Sequence, residues 1–442
     1  MIRTKPLYLS IAALVVASSM LSACSSENSG DNSSTAGSRM SEPAPTGVTL
    51  TMWNTALDTP ALKNLYKAYE AASGNTIDLV TFPSDAFENT VLTKWTAGSK
   101  PDILEWQPGL SRLAALNPSQ KMIDLSDLDF VEKEGTLATS SGAFDGKVYG
   151  ATLGPLTEYG VFYNKKVLAD AGLQPPKTFA DLSSSCTELR TKAPAVAPIF
   201  EAGGDVWPTQ ILSGILYQAD SDKNGEYLDA LLSKKQQLGD ADGAFVKGLE
   251  AYDDLNTAGC FNKNATTAKM SDSVDAVLKG TAAMVAQNSQ VLIDTATASL
   301  AGTDTKLEDV LGFVGVSANG PTLAYAPNVT GTYYLPRSGD SEKERAAIDF
   351  INWATGPGYA DYIKEAGALP TMAGHEAPPQ EGLYKDIRTA YEMGAASAYL
   401  ANLPGGSSLQ EITNRLLNKQ LTPEEAGKQM NSAFVTALAQ MR

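Results

Sequence analysis

The sequence predicts an α/β protein with a helical C-terminal region. Three observations lead there: strand and helix periodicities alternate from residue 48 onward, a second alternating series runs from about Gly150 to Val316, and the remainder of the chain carries almost only helix signals.

In the first series Val48, Leu50 and Met52 alternate with Thr49, Thr51 and Trp53, the period of a half-buried strand. Leu62, Leu65, Tyr66 and Tyr69 then fall at helical spacing, and Ser73-Gly74 stops that helix. Thr76 to Phe82 reads as the next strand. Asp85 can cap a helix bearing Phe87, Val91, Leu92 and Trp95, and Pro101 to Trp106 reads as the third strand before the helical Leu110, Leu113 and Leu116. Such β-α-β-α-β-α order belongs to a parallel sheet covered by helices. In the second series, strand signals at 159–163, 198–200, 282–285 and 311–316 are separated by helices. One is capped by Thr178 and carries Phe179, Leu182, Cys186 and Leu189; another carries Phe245, Leu249 and Tyr252. The tail reads as helices over 342–354, 361–366, 409–417 and 424–438, with Thr422-Pro423-Glu424-Glu425 supplying a cap, a first-turn proline and a capping-box glutamate.

The N-terminus reads as an export signal. Arg3 and Lys5 precede the apolar run Leu7 to Val16, which is too short to span a bilayer, and the segment exits through Leu21-Ser22-Ala23-Cys24. That tetrapeptide resembles the lipobox of bacterial lipoproteins, which implies acylation of Cys24 after removal of residues 1–23. Residues 24–47 are rich in Ser, Asn, Gly, Asp, Thr and Pro, the composition of a flexible tether, with an r.m.s. reach of roughly 25 Å.

Composition bounds the body. With 43% hydrophobic residues and no later apolar run approaching the length of a membrane span, large soluble cores are expected, and the length suggests two domains. Loss of Arg3 and Lys5 takes the formal net charge from -16 to -18, and no Lys/Arg cluster offsets it. Such a body is unsuited to nucleic acid and to anionic lipid, so any membrane attachment falls to the lipid anchor. Cys186 and Cys260 lie in an exported chain and are expected to pair, the alternative being two buried thiols. The only histidine, His375, lies in a Gly/Pro-rich loop, which excludes the usual zinc and Ser-His-Asp arrangements; no cofactor is expected.

Several landmarks recur in order along the chain: Pro101-Asp102-Ile103, Tyr163-Asn164-Lys165, Ala171-Gly172-Leu173 with Pro175 to Phe179, Gly280 to Met284, Ala347 to Trp353, Gly367 to Thr371 and the final Thr-Pro-Glu-Glu-Ala helix. Together they resemble the extracellular solute-binding family that includes maltose-binding protein. The resemblance covers nearly the whole mature chain. It implies a periplasmic-binding-protein-like fold, two α/β lobes joined by a hinge, with crossings near Gly154, Asn328 and Gly367. The lobes would be residues 48–155 plus 329–366 and residues 156–328 plus 367–442. It further implies a monomeric receptor that takes a sugar into the interlobe cleft and delivers it to the permease of an ABC importer.

Ligands of open α/β sheets lie beyond the carboxyl ends of strands, so the loops after strands supply the candidates. A sugar needs amides and carboxylates around its hydroxyls and an aromatic plate against its CH face. Trp53 can stack while Asn54 or Asp58 takes hydroxyls; alternatively Trp53 packs under the next helix and Asp58 caps it. Asp85 is a ligand residue or simply a cap. Trp106 falls where the resemblance places a sugar-facing aromatic, whereas Glu105, on the opposite pleat, reads as a sheet-surface charge. Glu158-Tyr159 resembles a Glu-Tyr pair after the first crossing, and Trp207-Pro208 a Trp-Pro that opens a helix at the cleft, the alternative for Trp207 being a core position. Asn288 begins a stretch that departs from the family pattern, because many relatives carry Trp near Gln290. Of Tyr333 and Tyr334 only one can face the cleft, and Tyr333 is the candidate. Trp95 and Trp353 read as core. A polyamine is the rival ligand, suggested by the same acidic groups. A secreted glycoside hydrolase would need a carboxylate pair such as Asp58 and Glu158, and no motif marks one.

Overall fold

The computed structural model describes residues 43–83, 86–221, 226–397 and 402–440. Asp85, Cys24 and the signal segment lie outside them. The strands that position the site are β1 (Thr49–Thr55), β2 (Thr76–Phe82), β3 (Ile103–Glu105), β4 (Gly150–Thr152), β5 (Leu156–Asn164), β6 (Ala197–Phe200), β7 (Ala282–Asn288), β8 (Leu311–Val314), β9 (Leu323–Pro327), β10 (Thr332–Tyr334) and β11 (Ala395–Ser397). The principal helices are α1 (Pro60–Ser73), α2 (Phe87–Thr96), α3 (Phe179–Lys192), α4 (Thr209–Ser221), α5 (Ala244–Thr257), α6 (Met270–Lys279), α7 (Ser289–Leu300), α8 (Ser341–Ala354), α9 (Tyr359–Ala366), α10 (Gly382–Met393), α11 (Leu409–Leu417) and α12 (Pro423–Gln440).

Two large sheets result, each with its own core, beside a two-stranded hairpin of Ala143–Phe144 and Lys147–Val148. The first has the order β2-β1-β3-β10-β4, the second β11-β9-β5-β7-β6 with β8 beside β5. In the first, β1 runs parallel to β2 and β3, while the returning β10 is antiparallel to β3 and β4. Local chemistry sets the helix boundaries. The Thr59 hydroxyl accepts the Leu62 amide at the start of α1, Pro60 occupies its first turn, and Gly74 leaves it in the left-handed conformation at φ 75°. Reciprocal capping boxes open α3 at Thr178 and Asp181 and α12 at Thr422 and Glu425, as the sequence reading expects. Leu50, Met52 and Ile103 pack against Tyr66, Tyr69 and Phe350 in one core, and Leu182, Phe245, Leu249 and Met284 meet in the other. Cys186 in α3 is joined to Cys260 by a disulfide within that second core.

The chain passes from the first sheet to the second between Thr152 and Leu156 and returns between Pro327 and Thr332. These two connections touch: the Leu153 amide donates to the Gly331 carbonyl at 2.8 Å. The Tyr362 hydroxyl from α9 donates to the Gly154 carbonyl at 2.8 Å, and the Thr371 hydroxyl to the Thr152 carbonyl at 2.7 Å. After Gly367 ends α9, the chain reaches α10, whose Leu383, Ile387 and Ala390 pack with Phe162 and Phe313 of the second sheet. No helix among the described residues is long and apolar enough to cross a membrane.

Candidate functional site

Two pockets that share no lining residue lie between the lobes, together termed the groove. The first, about 320 Å³, has the start of α1 at Thr59 to Ala61 on one wall and Glu158, Ser289 and Gln290 on the other, with Tyr362 and Arg388 at its margin. The second, about 290 Å³, sets Gln107, Ser111 and Arg112 of the first lobe against Tyr159, Gln210 and Gln410 of the second. Glu158 and Tyr159 are consecutive on β5, so the start of that strand forms the ridge between the pockets. Successive strand residues point to opposite faces, which lets each side chain serve one pocket.

The polar groups on this ridge are held in place. The Ser289 hydroxyl, first residue of α7, donates to the Glu158 carboxyl at 2.7 Å. Burial pushes the Glu158 carboxyl from an ordinary 4.5 up to about 7, and the Ser289 hydrogen bond only partly offsets it. Burial, reinforced by the neighbouring Glu158, pushes the Tyr159 phenol up to about 12, so it remains a neutral donor and acceptor. Arg112 is ion-paired with Glu88, and Arg388 with Glu392 on its own helix. The groove therefore offers amides, hydroxyls, the rings of Tyr159, Tyr362 and Tyr384, the carboxyls of Glu158 and Glu365, and two arginines already ion-paired.

The other sequence candidates lie elsewhere. Trp53 is 5% exposed, its ring edge-on to Phe82 at 5.7 Å and beneath the Lys94 ammonium. Asn54 is wholly buried: its amide nitrogen donates to Asp58 at 2.8 Å, and its oxygen accepts from the Thr81 hydroxyl at 2.8 Å. Asp58 also accepts from the Tyr66 hydroxyl at 2.9 Å, and that hydroxyl meets the one on Tyr333 at 2.6 Å. The structure thus brings Asn54, Asp58 and Tyr333 together in a buried network under the first wall. Trp106 is fully buried against Phe87 and donates its indole N–H to the Arg112 carbonyl at 3.1 Å. Trp207 is half-buried on the second core and lines neither pocket. Asn288, opposite Tyr159 in the β5–β7 register, uses its side-chain oxygen to cap α7 at the Val291 amide, 2.8 Å.

Glu105 departs from its reading as a surface charge, since it is fully buried and both its carboxyl oxygens accept backbone amides. Gln107, Arg112, Gln210 and Gln410 escaped the sequence reading because an amide or a cation on a helix or loop has no periodicity to distinguish the groove from open solvent. The one available signal was proximity: Gln107 follows Trp106, and Gln210 follows the Trp207-Pro208 pair. His375 packs edge-on against Tyr359, and among the described residues no group of His, Cys, Asp and Glu is arranged to hold a metal ion.

This geometry accords with comparisons to known proteins. Residues 55–361 match the family model described as bacterial extracellular solute-binding protein, well over half of the chain. The chain belongs to the bacterial extracellular solute-binding protein family. No curated protein matches this solute-binding protein in sequence. Among solved structures it is similar to a chitin oligosaccharide binding protein, with 22% identity, TM-score 0.70, 89% of this chain and 99% of that one covered. It is also similar to apo RafE from Streptococcus pneumoniae, with 17% identity, TM-score 0.70 and coverages of 90% and 99%. A third neighbour is a sugar transporter from Bacillus licheniformis in complex with stachyose, with 22% identity, TM-score 0.58 and coverages of 89% and 100%. At these identities the likeness establishes the two-lobed solute-binding fold.

Proposed function

We propose that this protein is the lipid-anchored capture component of an ABC importer, and that it holds a carbohydrate, specifically an oligosaccharide, in the groove between its lobes before delivering it to the permease. The observation that carries this reading is the lining of the groove. In the second pocket Gln107, Ser111, Gln210 and Gln410 present neutral donors and acceptors beside Tyr159, the combination a polyhydroxylated ligand needs. Each pocket is near 300 Å³, within the range of small-ligand sites. Several structural neighbours, among them the chitin oligosaccharide binder and the raffinose complex of RafE, carry sugar ligands in their descriptions, which supports the same class here.

In this reading Glu158 and Tyr159 touch the ligand directly, whereas Trp53, Asn54, Asp58, Trp106 and Tyr333 shape the wall from beneath. The lobes are residues 48–155 plus 329–366 and residues 156–328 plus 367–442, and Cys24 carries the acyl anchor at the end of its tether. The chain works as a binding protein and not as a hydrolase. Asp58, which would have to partner Glu158, has its carboxyl committed to Asn54 and Tyr66 in the interior. A polyamine receptor needs several ionised carboxylates about its cations. The pockets here hold Glu158, with its raised proton affinity, and Glu365 among amides and two arginines.

Titration calorimetry of the mature protein with chitin oligosaccharides, raffinose, stachyose and spermidine tests the class. Binding of at least one neutral oligosaccharide is expected, and a spermidine response with silence from every sugar would overturn it. Fatty-acid labelling that persists after Cys24→Ala would refute the anchor.

A further inference from the structure

Glu105 ends β3 and joins two segments that are far apart in the chain. Its Oε2 accepts the Thr55 amide at 3.0 Å and its Oε1 accepts the Gly331 amide at 2.8 Å. Thr55 ends β1 and opens the loop that becomes the groove wall at Thr59 to Ala61. Gly331 lies on the connection that returns from the second sheet, with its carbonyl already bound by Leu153 of the first connection. One side chain therefore holds a wall of the groove and an interlobe strand at once.

A carboxylate buried on two backbone amides depends on them in place of water. A second buried carboxyl, Asp58, belongs to the adjoining network: Asn54 and Tyr66 donate to its Oδ2, and the Tyr66 hydroxyl meets that of Tyr333, the residue opposite Glu105 in the β3–β10 register.

We propose that Glu105 is a positioning residue for ligand capture, its carboxyl a clamp on two backbone amides that makes the groove wall from Thr55 to Ala61 and the interlobe connection at Gly331 move as one body. This rests on the groove being the ligand site. Burial and the adjacent Asp58 raise the Glu105 carboxyl well above the usual carboxylate range, and burial also raises Asp58, with Lys63 a minor opposing influence.

Hydrogen–deuterium exchange of the ligand-free mature protein tests the clamp. Glu105→Gln keeps the size of the side chain but offers an amide nitrogen that cannot accept. It should therefore expose one of the peptides containing Thr55 and Gly331 about tenfold relative to the wild type, while the β5 peptide around Phe162 is unchanged. Wild-type protection of both peptides in Glu105→Gln overturns the clamp. The sugar that the wild type binds in calorimetry then tests its link to capture: Glu105→Gln should weaken it at least about fivefold, and unchanged affinity despite exposed amides overturns that link. If the wild type binds no sugar, the receptor reading fails while the ligand-free exchange result on the clamp stands.

Discussion

Replacing Gly331 by alanine perturbs the connection between the lobes at its narrowest point. Gly331 has φ 79°, and a Cβ built there would lie 1.9 Å from the Gly154 carbonyl oxygen. That oxygen cannot turn aside, because it belongs to backbone and accepts the Tyr362 hydroxyl. Relief requires the two connections to part by about 1.3 Å, taking an ordinary carbon–oxygen contact as roughly 3.2 Å. Such a shift breaks the Leu153 to Gly331 hydrogen bond and strains the one from Gly331 to Glu105. A left-handed alanine costs about 1 kcal/mol, and each compromised hydrogen bond about 1 kcal/mol more, for a total of about 3 kcal/mol. Gly98→Ala is the control: Gly98 has φ 88° in the same lobe, with nothing within 4 Å of its added Cβ, so only the backbone cost of about 1 kcal/mol applies. Urea unfolding followed by tryptophan fluorescence reads this lobe well, since Trp53, Trp95, Trp106 and Trp353 all pack in its cores. Equal losses for the two variants would refute the reasoning, because the carbonyl contact would then contribute nothing.

Other measurements reach the groove and its supports. Native Glu158 keeps its proton to about 7 while the unfolded chain releases it near 4.5. Its contribution is therefore present in full below pH 4.5 and is lost as pH rises through 7, on the order of 3 kcal/mol. Glu158→Gln should flatten the decline in urea midpoint between pH 5 and pH 8, and a slope identical to the wild type's would contradict this. Trp106→Ala empties a fully buried site and should cost about 3 to 5 kcal/mol of stability; a loss below about 1 kcal/mol would show that the indole is not a core element. Tyr159→Ala and Gln210→Ala should each weaken sugar binding by about 1 kcal/mol, Gln210→Ala with an unfolding midpoint close to wild type, and undiminished affinity in both would move the ligand away from the second pocket.

Much of the architecture was legible because the first lobe obeys simple periodicities. The alternation through β1 and the Leu62, Leu65, Tyr66 and Tyr69 stripe of α1 are local signals of burial, and both elements formed where those signals stood. The capping boxes at Thr178 and Thr422 set helix starts through side chains adjacent in sequence, which is why they could be read directly. Short β4 and β10 carry too few residues to show a period, and they exist because β10 pairs with both β3 and β4. The groove was harder to read. A tryptophan just past a strand can turn toward ligand or toward core with the same local sequence, and the aromatic partners Phe82 and Phe87 decide the matter for Trp53 and Trp106. Glu105 looked like a surface charge because strand alternation says nothing about the amides of Thr55 and Gly331 that wait for it.

The bond between Cys186 and Cys260 has a consequence for biogenesis. It closes a loop across 74 residues, and in the chain-entropy account a closure of that length contributes about 4 kcal/mol. Thiols stay reduced in the cytosol and oxidise beyond the membrane. A member of an extracellular family therefore acquires this staple beyond the membrane and not in the cytosol. Recombinant material made without an oxidising step will be softest in the half of the molecule that contains α3 and α5.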